Sequence, residues 1–546
     1  MTFAVVCDRL TYSWPDGTTP LADLTTAFGA GRTGLIGRNG SGKSTLLSLI
    51  AGRLTPTSGT VAVDGEVGLL DQGLPLATGT TVAELLGVDR IRDALLAIEA
   101  GRGDEADFTA VGTDWDIEER ALARLERFGV DLSTSEGHPL DRRVATLSGG
   151  ETVLTALAGI ALRRPDVTLL DEPTDNLDRD ARERFYEAVE HWHGVLIVVS
   201  HDRELLDRVD RIAELRHGRV RTWGGNHTAY TERLAVEQEA ARRTVRSAEA
   251  DVRRESRQLA EARIKLARRV RFGQKKYDTK REPRVIMNQR KREAQVSAGL
   301  HRITQEERLA AAREGLERAE EAVRDDDTIR ITLPGTEVPA GHDVLELRDT
   351  APGPEAGALY LRGPERVALT GPNGSGKTTL LRAIVARASG EPVAETGHGP
   401  PVRVAHVTGR VGYLPQRLDV LDEEASVLDN LRAAAPSAGT RTLRAGLARF
   451  LIRGHRVDQR AADLSGGERF RVALARLLLA DLPPRLLILD EPTNNLDLDG
   501  RDRLVEALNA YRGALLVVSH DHRFLEEIGA TRRWSLERGR PPVEGG

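Results

Sequence analysis

The sequence repeats itself across its two halves. A glycine-rich segment, GRNGSGKST at residues 37–45, returns as GPNGSGKTT at residues 371–379. The segments LSGGE, DEPT and VVSHD then follow in the same order in both halves, and 29 residues separate the DEPT glutamate from the SHD histidine each time. A chain of 546 residues is long enough for more than one domain core. The repeat therefore predicts two tandem copies of one domain.

Each copy alternates short, β-branched or leucine-rich runs with helical patterns. This alternation predicts an α/β fold, in which helices pack on a mainly parallel sheet. Two apolar runs end at Asp171-Glu172 and at Asp490-Glu491 and are typical of buried central strands. Their carboxylates are expected at the carboxyl ends of the strands, where such sheets bind ligands.

Both glycine-rich segments fit the pattern G-x4-G-K-[ST] of a phosphate-binding loop, or P-loop. Glycines allow backbone N–H groups to curl around phosphate oxygens, and the following helix N-terminus adds partial positive charge. The lysine is expected to reach the β- and γ-phosphates, and the hydroxyl after it to bind Mg²⁺. The predicted ATP-binding residues are Gly37, Asn39, Gly40, Gly42, Lys43, Ser44 and Thr45, and in the second copy Gly371, Asn373, Gly374, Gly376, Lys377, Thr378 and Thr379.

The acidic pairs after the apolar runs suit two different tasks. Asp171 and Asp490 are predicted to face Mg²⁺ together with Ser44 and Thr378, and the glutamates that follow could polarise the attacking water. Alternatively, the acids cap helices in the DEPT turn. A glutamine after another apolar run could sense the γ-phosphate or Mg²⁺, and a histidine recurs at the same offset. The predicted catalytic residues are Glu172, Gln72 and His201, and in the second copy Glu491, Gln416 and His520.

Residues 241–300, between the copies, concentrate positive charge. They contain 19 Lys and Arg against seven Asp and Glu, in a chain whose formal net charge is −5. Five of the seven lysines of the chain lie here, and the other two are Lys43 and Lys377. Such asymmetry favours a polyanionic partner, with a solvated helix face as the alternative.

An apolar pattern spaced by three and four residues flanks the centre of this linker. It predicts two helices in an antiparallel hairpin, each about 30 residues and so about 45 Å long. Gly273 and Pro283 bracket the predicted break, which places the tip near residues 271–288. Cations mixed with aromatic side chains are typical of RNA-binding surfaces, whereas a simple spacer between the domains is the alternative. The predicted RNA contacts are Arg271, Phe272, Lys275, Lys276, Tyr277, Lys280, Arg281 and Arg284.

The ordered set of P-loop, glutamine, LSGGE, DEPTxNLD and SHD resembles the ATP-binding cassette (ABC) ATPases over both halves of the chain. The resemblance implies two cassettes that meet head-to-tail, so that the P-loop of each faces the LSGGE of the other across one ATP molecule. Site A would then join Lys43 to Ser465, Gly466 and Gly467, and site B would join Lys377 to Ser148, Gly149 and Gly150. By the same resemblance, Trp14 looks like the aromatic residue that stacks on adenine, and Asp178 and Asp497 look like D-loop residues.

The two copies differ in ways that concern one site. The second copy has no aromatic residue where Trp14 stands in the first, and the first LSGGE lacks the arginines found after the second at Arg469 and Arg471. Both differences fall on site B. We therefore expect site B to bind ATP or turn it over less well than site A.

Two fused cassettes and a long charged helical linker resemble the ABC-F branch of this family. That resemblance implies a ribosomal partner, with the linker entering an RNA site near the tRNA, and a role in translation or in antibiotic resistance by ribosome protection. The predicted architecture is two P-loop NTPase domains, residues 1–232 and 328–546, joined by an α-helical hairpin at 233–327. Such a chain would work as a monomer with two intramolecular ATP sites.

Other features narrow the classes of protein. The chain has no run of 18 or more apolar residues and no signal-peptide pattern at its start, so a cytoplasmic protein without a membrane span is expected. Its single cysteine, Cys7, excludes a cysteine-based zinc site. An ATP-binding subunit of a membrane exporter and a DNA-associated ABC ATPase remain as alternatives. The spacing between the glutamine and the LSGGE serine is 76 residues in the first copy, from Gln72 to Ser148. It is only 49 residues in the second copy, from Gln416 to Ser465, which predicts a modest insertion in the first copy.

Overall fold

The computed structural model describes residues 3–71, 79–132, 137–174, 177–278, 284–323, 333, 335–350, 357–391, 401–416, 418–494 and 496–545. The chain divides into two units, one formed by Met1–His227 with Asp327–Gly546 and the other by Thr228–Asp326. No helix within the described ranges combines the length and the apolarity needed to cross a membrane.

The first copy contains nine strands and eight α-helices within the described residues. The strands are β1 (Phe3–Tyr12), β2 (Leu21–Gly29), β3 (Gly31–Ile36), β4 (Ser58–Val63), β5 (Val67–Leu70), β6 (Val167–Asp171), β7 (Val195–Val199), β8 (Arg211–Arg216) and β9 (Arg219–Gly224). The helices are α1 (Lys43–Ile50), α2 (Val82–Leu86), α3 (Asp89–Glu99), α4 (Glu105–Val111), α5 (Ile117–Arg127), α6 (Gly149–Arg163), α7 (Arg179–Glu190) and α8 (Arg203–Leu206).

The main sheet of this copy has the strand order β5-β6-β7-β3-β8-β9, and all its pairs are parallel except β8 with β9. Every residue of β6 and β7 is buried, as expected for a parallel strand covered on both faces. The P-loop follows the central strand β3 and leads into α1. The predicted α/β fold with a mainly parallel sheet is confirmed.

A second, antiparallel sheet of order β2-β1-β4 completes the copy. It was not predicted, because its polar and apolar residues do not form long buried runs. Val5, Cys7 and Leu10 of β1 point into a core shared with Leu46 and Leu47 of α1. The sheet therefore covers the helix that carries the P-loop lysine.

Two long helices follow, α9 (His227–Asp278) and α10 (Arg284–Ala322). At about 1.5 Å per residue their lengths are about 78 Å and 59 Å. The predicted length of about 45 Å for each helix is too short, because both helices extend beyond the residues that carry the apolar pattern. Helix α9 continues through Gly273 and ends at Asp278, and α10 begins at Arg284, so the interval between the two helices falls within the predicted bracket from Gly273 to Pro283. A lone glycine costs a helix only about 1 kcal/mol relative to alanine.

Within the linker unit the two helices contact each other. Arg263 of α9 and Glu306 of α10 form an ion pair at 3.4 Å, and Leu259, Gln305 and Ala319 are buried. Five residues separate the two helices along the chain. Arg263 and Glu306 are 43 positions apart, yet they are in contact across this short connection. The chain must therefore reverse direction between the two helices, which form an antiparallel hairpin, as predicted.

The second copy repeats the first with fewer helices before LSGGE. Its strands are β10 (Asp343–Asp349), β11 (Ala358–Arg362), β12 (Arg366–Thr370), β13 (Val402–Val407), β14 (Val411–Leu414), β15 (Leu486–Asp490), β16 (Ala514–Val518), β17 (Arg532–Ser535) and β18 (Val543–Gly545). Its helices are α11 (Lys377–Ser389), α12 (Val427–Ala434), α13 (Thr440–Arg449), α14 (Gly466–Leu478), α15 (Leu498–Ala510) and α16 (His522–Glu527). The sheets have the orders β14-β15-β16-β12-β17-β18 and β11-β10-β13, which match the first copy strand for strand.

Candidate active site

The two P-loops share one backbone conformation. The glycine before each helix, Gly42 before α1 and Gly376 before α11, is left-handed, with φ of +99° and +98°. Glycine adopts this conformation without a steric penalty. No described side chain caps the first turn of either helix. The backbone N–H groups at both N-termini can therefore receive an anion.

Each P-loop closes around its own lysine. The Nζ of Lys43 donates hydrogen bonds to the carbonyl oxygens of Gly37 at 2.7 Å and Arg38 at 3.2 Å. The Nζ of Lys377 bonds in the same way to the carbonyls of residues 371 and 372, at 2.6 and 2.9 Å. Burial lowers the pKa of both lysines. A phosphate group would supply the counter-charge that this buried position needs, so the residues present fit ATP.

The predicted Mg²⁺ residues lie together in both copies. Thr378 Oγ1 donates to Asp490 Oδ2 at 2.9 Å, and a hydrogen bond from Ser44 acts on Asp171 in the same way. Burial raises the pKa of both aspartates, and no described group bonds to Asp171 Oδ1. A hydroxyl beside a buried carboxylate is a donor set suited to Mg²⁺, which usually takes one or two protein oxygens and completes its shell with phosphate and water.

The glutamate after each aspartate is held by the histidine of the SHD segment. Glu172 Oε1 lies 3.1 Å from His201 Nε2, and its Oε2 accepts from the backbone N–H of His201 at 3.2 Å. In the second copy His520 Nε2 lies 3.4 Å from Glu491 Oε1. Both glutamates have positive φ, 45° and 47°. Non-glycine residues tend to keep such strained conformations only where the surrounding structure enforces them, often at functional sites.

Burial sets the protonation of these groups. It lowers the pKa of His201 to about 3 and that of His520 to about 4, so both imidazoles are neutral near pH 7. Burial also raises the pKa of Glu491 to about 7. A carboxylate held by a neutral histidine and removed from water has the properties expected of a general base.

The two predicted glutamines can be placed only in part. Gln416 follows β14 and lines a cavity together with Asp171, Glu172 and Glu491. Gln72, its counterpart after β5, lies outside the described residues.

A cavity of about 850 Å³ connects the two copies. From the first copy its lining includes Trp14, the P-loop residues Asn39, Gly40, Gly42, Lys43, Ser44 and Thr45, and also Asp171, Glu172 and His201. From the second copy it includes Gln416, Gly466, Arg469, Glu491 and His520. The structure thus brings the P-loop of the first copy to the LSGGE of the second, which is the combination expected for site A. Neither Lys377 nor Ser148 is among the described residues that line this cavity.

Direct contacts support the same head-to-tail arrangement. Asp497 Oδ2 accepts a hydrogen bond from the backbone N–H of Asn39 at 3.1 Å. Arg38 Nε lies 3.2 Å from Asp499 Oδ2, which adds an exposed ion pair beside that bond. A further contact joins the two copies, since Arg182 of the first copy donates to the carbonyl oxygen of His520 in the second copy at 3.4 Å. Sequence reasoning did not identify Arg38, Asp499 or Arg182, since single polar residues without a motif carry no recognisable signal.

The LSGGE segments form helix N-caps. Ser148 Oγ accepts from the N–H of Glu151, and Glu151 Oε2 accepts from the N–H of Ser148 at 2.7 Å. Ser465 and Glu468 form the same capping box at the start of α14. The spacing Ser-x-x-Glu is a sequence signal for this motif. The cap fixes where the two glycines after each serine, Gly149 and Gly150 or Gly466 and Gly467, present their N–H groups.

The described residues also show what site A has and site B lacks. Trp14 is exposed at the cavity and packs edge-on against Tyr12, with ring centroids 5.0 Å apart. Arg469 lines the cavity and pairs with Glu423 at 2.6 Å. The residue equivalent to Arg469 in the first copy is Thr152, whose hydroxyl donates to the Ser148 carbonyl at 3.0 Å.

The predicted RNA contacts lie around the end of α9 and the start of α10. Arg271, Phe272 and Lys275 are exposed. Lys276, Tyr277 and Arg284 belong to the two helices, although only their backbones are described. Lys280 and Arg281 lie outside the described residues.

Comparisons with known proteins give the family. The sequence matches the ABC transporter family over residues 22–175 and 357–494. It is 33% identical to the tylosin resistance ATP-binding protein TlrC of Streptomyces fradiae, over 92% of each chain. It is 28% identical to ABC transporter F family member 5 of Arabidopsis thaliana, over 94% of this chain and 72% of the relative.

A solved structure described as RNase-L Inhibitor has the same fold. It matches with a TM-score of 0.53 at 20% identity, over 98% of this chain and 90% of that one. The protein hydrolyses ATP, since both copies match the family and its relatives are ATP-binding proteins. The chain therefore belongs to the ATP-binding cassette family and, within it, to the ABC-F proteins.

Proposed function

We propose that this ABC-F ATPase works on the ribosome, as a ribosome-protecting antibiotic-resistance protein or as a translation factor. ATP binding closes the two cassettes, and hydrolysis releases them. The α9–α10 hairpin contacts ribosomal RNA near the tRNA. The chain works in the cytoplasm as a monomer with two ATP sites.

The observation that carries the proposal is the basic, exposed end of the hairpin. Arg271 and Lys275 are exposed beside Phe272, in a segment of local charge +12 within a chain of net charge −5. Cations bind phosphates and an exposed ring can stack on an unpaired base. A purely structural spacer requires neither. One relative is named for tylosin resistance, and a matching solved structure is described as ribosome-bound archaeal Pelota and ABCE1.

Each cassette contributes a base, a cation site and a phosphate loop to the cycle. Glu172 or Glu491 orients the attacking water and accepts its proton while the bond between the γ-phosphorus and the β–γ bridging oxygen breaks, giving ADP and phosphate. His201 or His520 holds that carboxylate. Mg²⁺ would be held by Ser44 with Asp171 and by Thr378 with Asp490, and it would neutralise phosphate charge. Loss of the γ-phosphate removes the contacts that favour closure.

Sedimentation tests the proposal. The Glu172→Gln/Glu491→Gln double variant should bind ATP without hydrolysing it, and we expect it to co-migrate with ribosomes on a sucrose gradient when ATP is present. Omission of ATP should return it to the top of the gradient. An ATP-loaded double variant that stays at the top would refute the ribosomal function.

The role of the linker has its own test. The charge-reversing triple variant Lys275→Glu/Lys276→Glu/Lys280→Glu should lose co-migration while its ATPase rate without ribosomes stays unchanged. Variants that still co-migrate would place the contact elsewhere. Resistance and general translation can then be separated by the tylosin susceptibility of cells with and without the protein.

A further inference from the structure

The aspartate predicted to hold Mg²⁺ at site A has a second carboxylate beside it. The parallel register pairs Leu70 of β5 with Leu170 of β6. The next residues, Asp71 and Asp171, therefore lie side by side near the ends of the two strands, and the carboxylate of Asp71 repels the charge of Asp171. Asp71 also pairs with Arg53 at 2.6 Å, with both side chains about half exposed. Such a surface pair is weak and does not cancel the attraction of Asp71 for a cation at Asp171.

The aspartate of site B has different neighbours. The register of β14 with β15 repeats that of β5 with β6, so Pro415 lies beside Asp490 where the first copy has Asp71. Two residues earlier, and therefore on the same face of the sheet, the hydroxyl of Tyr413 lies 3.5 Å from Asp490 Oδ2. The equivalent residue of the first copy is Leu69, whose side chain has no polar atom. Site B thus has proline in place of a carboxylate and a hydroxyl in place of a methyl group.

A cation also lies near Asp490. Thr378 of α11 donates to Asp490 Oδ2 at 2.9 Å, and Arg382 lies one helical turn further along the same face of α11. Arg382 forms a hydrogen bond with Tyr413 and attracts the charge of Asp490. Because a guanidinium group can only donate, Tyr413 accepts from Arg382 and directs its own proton to Asp490. The equivalent residue of α1 is Ser48, which carries no charge.

We propose that these neighbours give site A a higher affinity for Mg²⁺ than site B, by about tenfold, the low end of the range for residues around a metal ligand. An additional carboxylate attracts a divalent cation, and an additional guanidinium repels it. The hydrogen bonds that Asp490 accepts from Thr378 and Tyr413 also draw negative charge away from that carboxylate. Asp71, Tyr413 and Arg382 thus set the cation requirement of each site. This property concerns ATP binding alone and does not depend on the ribosomal partner.

The groups that would touch the cation are alike in the two copies. Each copy has an aspartate at the end of a buried strand and a hydroxyl at the second residue of the helix after the P-loop. A difference in affinity must therefore come from the surrounding charges. Because Mg²⁺ neutralises phosphate charge during phosphoryl transfer, a weaker Mg²⁺ site also gives a physical cause for the slower turnover expected at site B.

Mn²⁺ binding tests the proposal without any turnover. The full chain with Glu172→Gln/Glu491→Gln, loaded with ATP at both sites and freed of excess nucleotide, is titrated with Mn²⁺ as a paramagnetic substitute for Mg²⁺. The electron paramagnetic resonance signal of free Mn²⁺ gives the bound fraction. We expect two dissociation constants about tenfold apart. Equal dissociation constants for the two ions would overturn the proposal.

Two substitutions in that background assign the sites, each with a matched control. Arg382→Gln should tighten the weaker Mn²⁺ site and Asp71→Asn should loosen the tighter one, each by about three- to tenfold. The control Arg387→Gln removes an exposed charge from the last turn of α11, and Asp64→Asn removes one before β5, at the end of the strand remote from Asp71. Both controls should leave both dissociation constants unchanged, and all four variants should keep the wild-type melting temperature. Shifts no larger than those of the controls, or shifts of the opposite sign, would refute the proposal.

The Mg²⁺ dependence of turnover is a second readout. Glu491→Gln leaves hydrolysis to site A, and Glu172→Gln leaves it to site B. The half-maximal rate of Glu172→Gln at saturating ATP should require about tenfold more Mg²⁺ than that of Glu491→Gln. The same requirement in both variants would contradict the proposal, whereas neither result bears on co-migration with ribosomes.

Discussion

The two ATP sites should contribute unequally to turnover, and isosteric substitution of the two glutamates measures this. Site A contains Trp14 and Arg469 at the cavity that holds Lys43 and Glu172. In the sequence, site B has no aromatic residue at the position equivalent to Trp14 and no arginine at the position equivalent to Arg469. Glu172→Gln keeps an oxygen that can accept from the His201 N–H but removes the base. Glu491→Gln does the same at site B.

The expected magnitudes follow from general-base catalysis. Loss of the base slows the affected site by about 10²–10⁴-fold. Two equal and independent sites would leave each single variant with about half of the total rate. If site A carries more than about nine tenths of the turnover, Glu172→Gln should retain less than about one tenth of the wild-type rate and Glu491→Gln more than about nine tenths of it.

Steady-state phosphate release at saturating ATP and Mg²⁺ measures these rates. Titration with a fluorescent ATP analogue should show that both single variants still bind nucleotide, so that a lost rate reports chemistry. The double variant provides the background. Equal losses in the two single variants would refute the inequality of the sites, and a larger loss from Glu491→Gln would reverse it.

Three further predictions concern single side chains. Trp14→Ala should raise the KM for ATP about tenfold through lost stacking, whereas Trp14→Phe should stay near wild type, and an unchanged KM for Trp14→Ala would contradict the adenine contact. Burial lowers the pKa of His227 to about 4 from the usual 6.5, so the neutral form favours folding above pH 6.5 and up to about 3 kcal/mol of stability is lost as the pH falls towards 4. His227→Gln should reduce the slope of this dependence in denaturant unfolding measured from pH 4 to 7, and an unchanged slope would exclude His227 as one of its sources. Arg203 is buried and pairs with Asp502 and Glu527 of the second cassette. Arg203→Met should cost about 1–3 kcal/mol in the same unfolding assay, less than a fully buried pair because Asp502 is largely exposed, and a change below about 0.5 kcal/mol would show that the pair does not stabilise the contact.

The sequence predicted those parts of the site whose chemistry permits few residue types. A phosphate loop needs glycine where φ is positive, as at Gly42 and Gly376. Asp171 and Asp490 end strands that are buried throughout. Such strands form apolar runs that can be recognised directly in the sequence.

Other parts depended on tertiary contacts that leave no pattern in the sequence. The end of helix α9 is one such part, because Gly273 and Pro283 bracket the interval between α9 and α10 but do not mark Asp278, where α9 ends. The ion pair between Arg38 and Asp499 joins residues that are 461 positions apart. The insertion was visible as a difference in spacing, but its exposed rings could be identified only after Phe108 and Trp115 were placed side by side.

Contacts between the cassettes link the first P-loop to the SHD segment of the second copy through helix α15. Asp497 accepts from the N–H of Gly500 with Oδ1, which caps α15, and from the P-loop N–H of Asn39 with Oδ2. One turn further along α15, the buried Arg501 pairs with Asp521, the residue after His520. Asp497 therefore links the backbone of the first P-loop to the start of α15. Asp521 follows His520, a predicted catalytic residue, so these contacts join the first P-loop to the predicted site B residues of the second cassette. We therefore expect Glu491 and His520 to respond to ATP at site A even if site B itself turns over ATP less well.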